Sequence, residues 1–298
     1  MAGRDLLAWL RERRVLVGDG AMGTALQSEG LPPGGAPEIW NLDRPEVVER
    51  VMRSYLGAGA ELLETNTFGG TPARLAAHGI EARCEAINRA GAEIGRRVAG
   101  DSALVIGSIG PTGLLLQPLG PLSAADALDG FRRQAEALAQ GGADALIIET
   151  MTDLNEAVLA VRGAAGTGLP VIACMTYEIT PRGIFTVFGA SPDRASKELH
   201  AAGARVIGTN CGTGPETMLQ MVRALRSATS LPILAQPNAG IPVLTGVDLV
   251  YPESPEEMAS HIAAFVEAGA SIIGGCCGTT PAHIRAMAAE VLRTRERL

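Results

Sequence analysis

The sequence predicts a closed (β/α)8 barrel of the TIM type, with parallel strands inside and helices outside. Two observations carry that prediction. Eight short runs rich in Val, Ile and Leu alternate with longer segments of helical period, and near-continuous apolar strands suit a parallel sheet buried on both faces. One plan recurs in "GAGAELLETNT", "QGGADALIIET", "AAGARVIGTNC" and "EAGASIIGGCC": Gly-Ala ends a helix, an apolar strand follows, and polar or reactive residues close it. Eight strand–helix units within 298 residues fit a barrel better than an open sheet.

The elements follow in order. A short amphipathic helix is expected at about 4–14, where apolar residues are followed by charge. The strands are "VLVGDG" (15–20), "ELLETNT" (61–67), "ALVIGSIG" (103–110) and "ALIIET" (145–150). They continue with "PVIACMTYE" (170–178), "RVIGTNC" (205–211), "PILAQPN" (232–238) and "SIIGGCC" (271–277). Helical patterns such as "PEVVERVMRSYLGAG" and "PETMLQMVRALRSA" lie between them. Several open on Pro or an acidic residue and close on Gly, as helix termini do. Residues 1–298 read as a single barrel domain.

Composition narrows the function classes. The net charge of −7 comes without a basic stripe, so no nucleic-acid partner is expected. No apolar run approaches the ~20 residues that span a bilayer, and the N-terminus lacks a signal peptide's plan. The expectation is a cytoplasmic protein without a membrane partner. Five cysteines in a chain with no secretory signal point to reduced thiols or metal ligands ahead of disulfides. The single lysine, Lys197, lies in a helical pattern, which leaves a Schiff-base lyase without a strand-end amine.

Barrel active sites gather at the C-terminal ends of the strands. Those ends carry Asp19, Glu64, Asn66, Glu149, Asn210, Cys211, Asn238, Cys276 and Cys277. Cys211 closes the sixth strand and the adjacent pair Cys276–Cys277 the eighth, with one strand between them. Adjacent strand residues point to opposite faces, so the pair shares one metal only if the strand breaks there. Gly274, Gly275 and Gly278 give it that freedom. Three thiolates describe an incomplete tetrahedral zinc site with one open position, suited to an incoming thiol. Cys211 alone reads equally as a buried small hydrophobe; Cys84, in a helical pattern, and Cys174, inside the fifth strand, read as inert core residues, while the adjacent pair beside glycines argues for metal. The four histidines fall away from strand ends and read as packing or surface residues.

"DGAMGT", "ETNTFGG", "TNCGTGPE", "QPNAG" and "GGCCGTTPAHI", in this order, resemble the homocysteine S-methyltransferase family over about residues 15–284. The likeness is greatest to the homocysteine-binding barrel of the cobalamin-dependent members. It implies zinc on Cys211, Cys276 and Cys277, and homocysteine with its sulfur on that zinc. By motif, Asp19, Gly20 and Glu149 should bind the amino-acid end. An ammonium group wants a carboxylate, and N–H groups beside Gly can take a carboxylate. Without the resemblance, Asp19 could equally be a turn carboxylate and Glu149 a rim salt bridge.

The segment "ELHAAG" (198–203) differs from the family's cobalamin-ligating Asp-x-His-x-x-Gly and reads as a helix end. With no cobalamin module following the barrel, the methyl donor is expected from outside the chain: methylcobalamin on a separate corrinoid protein. The alternatives are a small donor, S-methylmethionine or betaine, or a non-catalytic thiol- or zinc-binding subunit. Only ten aromatics occur, and the residues directly after Glu149, "TMT", include none, which disfavours a cation–π site for betaine. A corrin donor requires an open mouth without long lids, and the segment from about 238 to 251 is expected to face the partner.

Overall fold

The computed structural model describes residues 5–245 and 248–297, without the side chains of residues 245, 248 and 249. Eight parallel strands form the barrel wall: β1 (Leu16–Val17), β2 (Leu62–Glu64), β3 (Leu104–Ile109), β4 (Ala145–Met151), β5 (Val171–Met175), β8 (Val206–Asn210), β9 (Ile233–Gln236) and β12 (Ala270–Ile273). Two antiparallel hairpins stand in the connections after β5 and β9. They pair β6 (Glu178–Thr180) with β7 (Gly183–Phe185), and β10 (Val243–Thr245) with β11 (Asp248–Val250). All eight expected strands are present, and most stop short of the expected end. The eighth ends at Ile273, not 277, because Gly274 and Gly275 leave the ladder.

Residues two apart share a strand face, and the barrel follows that rule. One buried cluster takes a residue from every wall strand, including Leu16, Leu62, Ile147, Ile172, Val206 and Leu234. Leu6 and Leu10 of the helix Leu6–Arg13 join it. Their burial stabilises the lower end by about 1.5–3 kcal/mol each. The alternate residues, such as Leu63, Val105 and Ile207, belong to the shell packed against the helices.

The wall closes between β1 and β2 by other means than a strand ladder. Glu61 N–H donates to Val17 O at 2.8 Å, and Val17 N–H donates to Glu61 Oε2 at 2.9 Å. Higher up, Glu64 N–H donates to Asp19 Oδ2 at 2.9 Å. Arg13 and Arg295 both pair with Glu61, which fastens the first and last helices to this seam.

The segment 198–203 runs through the end of the helix Pro192–Ala202 to its Gly203 cap. Lys197 sits on the same helix, paired with Asp193 at 2.9 Å.

Candidate metal centre

The chain rises out of β8 and turns at once: Cys211 has φ 61° and Gly212 φ 77°. A left-handed Cys costs about 1–2 kcal/mol, so neighbours must hold it. Cys211 N–H donates to Gln236 O at 3.1 Å. Asn210 braces the same point: its Oδ1 accepts from Thr150 N–H at 2.8 Å, and its Nδ2 donates to Thr150 Oγ1 at 2.8 Å and Glu149 Oε2 at 3.0 Å. Thr150 is itself left-handed, at φ 57°. These residues of β4 and β8 form one braced corner.

After β12 the chain makes a tight turn. Cys276 N–H donates to Pro237 O, Thr279 N–H and Oγ1 both return to Cys276 O, and Gly278 has φ 82°. Tyr251 packs close against Gly278, where an added Cβ would come within 2.1 Å of its Cγ. The glycines do break the strand at the cysteine pair, as the sequence implied.

The ligand atoms of Cys211, Cys276 and Cys277 all lie within 4.8 Å of one another, with Cys211 Sγ 3.9 Å from Cys277 Sγ. A tetrahedral zinc with Zn–S of about 2.3 Å has sulfurs about 3.8 Å apart. The three thiols fit a metal ion of that kind, and they are free rather than paired as disulfides. Cys277 is pushed down to about 3 by the hydrogen bonds that Cys211 and Cys276 give its sulfur, while Cys211 is raised to about 11 and Cys276 is raised well above the ordinary thiol value. Without a cation the three thiols thus favour a single negative charge, shared through their hydrogen bonds. The remaining two cysteines are inert: Cys84 is buried and pushed up to about 12 by that burial, and Cys174 lies in the barrel interior.

Beside the thiols lies a chamber of about 230 Å³, lined among others by Gly20, Met22–Thr24, Glu38, Glu64, Ser108, Glu149, Gln236 and the three cysteines. Every site residue expected from the sequence meets here except Asp19, which is 1% exposed and tied to Glu64. Glu149 accepts from Ser108 Oγ at 2.5 Å and from Asn210 at 3.0 Å. Burial nevertheless pushes it up to about 7. Burial also raises Asp19 and Glu64; the Glu149 carboxyl raises both further, and Asp19 adds to the rise of Glu64. Gly20 leaves no room for a side chain: a Cβ would stand 2.7 Å from the Tyr55 ring and 2.8 Å from Thr279 Oγ1.

Three further residues shape this place without having been given a role by the sequence: Asn210, Gln236 and Ser108. Their signal was the two-residue alternation, since each follows an inward apolar residue of its own strand at an even spacing. His283 turns out to cap its helix, accepting from Thr280 N–H at 3.1 Å, as a packing residue would.

Residues 16–291 match the family model described as homocysteine S-methyltransferase. Methionine synthase of Mycobacterium tuberculosis is 40% identical over 96% of this chain and 25% of its own length. The Mycobacterium leprae protein of that name is 39% identical over 98% and 25%. The chain thus spans about a quarter of these curated relatives. Among solved structures, the metallated homocysteine methyltransferase MmuM of Escherichia coli superposes with a TM-score of 0.79 at 26% identity, over 95% of this chain and 99% of that one. A carboxyl transferase domain of Rhizobium etli pyruvate carboxylase, 18% identical with a TM-score of 0.54, shares the fold alone.

Proposed function

The chain belongs to the homocysteine S-methyltransferase family, and from that premise we propose that it transfers a methyl group to the sulfur of homocysteine, giving methionine. The observation that carries this reading is the meeting of three convergent thiols with a carboxyl-lined chamber sized for a small amino acid. We assign zinc to Cys211, Cys276 and Cys277, whose spacing matches a tetrahedral thiolate shell with one place left for a substrate sulfur. Zinc held there supplies Lewis acidity, which keeps a thiol deprotonated near neutral pH.

The chain's own groups then bind and aim the substrate. Asp19 and Glu149 receive its ammonium group. Met22, Gly23 and Thr24 line the chamber as the first turn of the helix Met22–Ser28, whose Ala21 cap makes no side-chain hydrogen bond. Their N–H groups, with Gly20, are suited to the substrate carboxylate. Fixing both ends leaves the sulfur one direction to face, toward the thiol cluster and the mouth. There an S–CH3 bond forms as the donor's bond to methyl breaks, with its electron pair staying on the departing donor.

For the donor, we infer methylcobalamin on a corrinoid protein docked over the mouth. The exposed large apolar side chains support it: Leu119, Val187, Phe188, Ile241 and Leu244 all stand in connections on the C-terminal side of the barrel. Two short hairpins, with strands of three residues each, stand in the connections on that side. The second reading, a small donor used by the barrel alone, is favoured by the match over 99% of the E. coli transferase.

The test is metal content and methionine formation. The protein should carry about one zinc, and Cys276→Ala should lose both metal and turnover while its helical content stays. Full occupancy and turnover in that variant would sink the assignment.

A further inference from the structure

The chamber is rich in carboxyl groups and short of positive charge. Glu38, Glu64 and Glu149 line it, and no Lys, Arg or His is among its described lining residues. Glu64 occupies the inward face of β2, two residues above the interior Leu62. It is held deliberately still. Gln236 Nε2 reaches across from β9 and donates to Glu64 Oε1 at 2.6 Å. The amide can lie there because Gly18 and Gly274 leave its path clear: a Cβ on Gly274 would stand 3.1 Å from Gln236 Nε2.

A count of acceptors shows what Glu64 offers. An ammonium group brings three N–H donors. Both Glu149 oxygens already accept, from Ser108 and Asn210. Asp19 Oδ2 is taken by Glu64 N–H, while Asp19 Oδ1 is buried without a partner. Glu64 Oε2 accepts no hydrogen bond from the described residues; its one side-chain partner is Gln236. Among Asp19, Glu64 and Glu149, the carboxyl oxygens that accept nothing from the described residues are therefore Asp19 Oδ1 and Glu64 Oε2.

We propose that Glu64 is a third ammonium-binding carboxyl group, fixed by Gln236, which makes the site selective for a thiol that carries an α-amino group. This rests on the chamber being the amino-acid site of the proposed reaction. An ammonium placed among Asp19, Glu64 and Glu149 would supply the positive charge that the buried carboxyl groups lack, and would fill the two open acceptors.

The experiment compares two thiols on the zinc-loaded chain by calorimetry: homocysteine, and 4-sulfanylbutanoate, which lacks the amine. Both keep a thiol, so both should bind. Glu64→Gln should weaken homocysteine roughly ten- to a hundredfold and leave 4-sulfanylbutanoate within about twofold. Gln236→Met, which releases Glu64 but keeps its charge, should cause a smaller loss confined to homocysteine. Equal weakening of both thiols, or none, in a folded Glu64→Gln protein of unchanged zinc content overturns the proposal; should that variant not fold, an equal effect of Gln236→Met on both thiols does so. Wild-type protein that binds the two thiols equally would instead overturn the amino-acid reading of the chamber.

Discussion

Asn210 is the residue on which the site turns. Its one amide fixes Glu149, holds Thr150 in a left-handed conformation and precedes the left-handed Cys211. Strain of that kind persists only where the surroundings over-determine it. Asn210→Ala should therefore cost about 2–3 kcal/mol of stability, from lost buried hydrogen bonds, and lower zinc affinity as Cys211 relaxes. Chemical denaturation and chelator competition read the two effects separately. Glu149 gives a second expectation, with a sign. Burial lifts its carboxyl from an ordinary 4.5 to about 7. In the ligand-free protein its contribution to stability is full below pH 4.5, where the group is neutral, and is lost as pH rises through about 7. Ammonium binding has the opposite slope, because it needs the ionised form: affinity for methionine should fall as pH drops below about 7. Glu149→Gln should weaken methionine roughly ten- to a hundredfold and flatten that slope, with zinc content unchanged. An unaltered affinity and slope would return Glu149 to a structural role.

At the scale of elements, the wall strands were legible because burial on both faces writes a run of Val, Ile and Leu into each. The hairpins were not. Their strands are three residues long, and the first shows exposed and half-buried positions with no apolar period to read. Nor could the sequence alone say that Glu64, Gln236 and Asn210 would share one layer; that needs the strand register, which hydrogen bonding across the wall sets. The cysteine pair was legible for a local reason, since its glycines have few other uses. Gly278 joins the two levels. Its φ of 82° is costly for any other residue, and the Tyr251 ring following β11 occupies the space of a side chain. Gly278→Ala should thus cost at least about 2 kcal/mol, from left-handed strain and overpacking, and lift the hairpin from the thiols. A lower denaturation midpoint, with weaker zinc binding, would register it. Gly57→Ala is the control: nothing lies within 4 Å of its Cβ, and at a helix end it should be neutral or slightly stabilising.

The whole molecule divides its work between two ends. The lower end is sealed by Leu6, Leu10 and the pairs on Glu61, and among the described residues only Leu292 exposes a large apolar side chain outside the rim connections. The upper end gathers the rest, on the segments 111–122, 178–189 and 241–250 around the mouth. Large exposed apolar side chains gathered at one end of a molecule point to an interaction site there. A small donor diffusing into the chamber would gain nothing from it, whereas a carrier that must present a methyl group over the sulfur would dock on it. The two readings of the donor therefore separate on residues far from the chemistry. Phe188 is 46% exposed and Leu244 70% exposed, so replacing both by Ser removes apolar contact area without touching the core. With methylcobalamin on a carrier protein, methionine formation by the Phe188→Ser, Leu244→Ser protein should fall by about tenfold or more, as expected for two apolar anchors at an interface. With free S-methylmethionine as donor the rate should not change. Measured side by side, turnover with S-methylmethionine alone, indifferent to the rim, would assign the barrel to the small-donor class and leave the apolar crown without a methyl carrier to explain it.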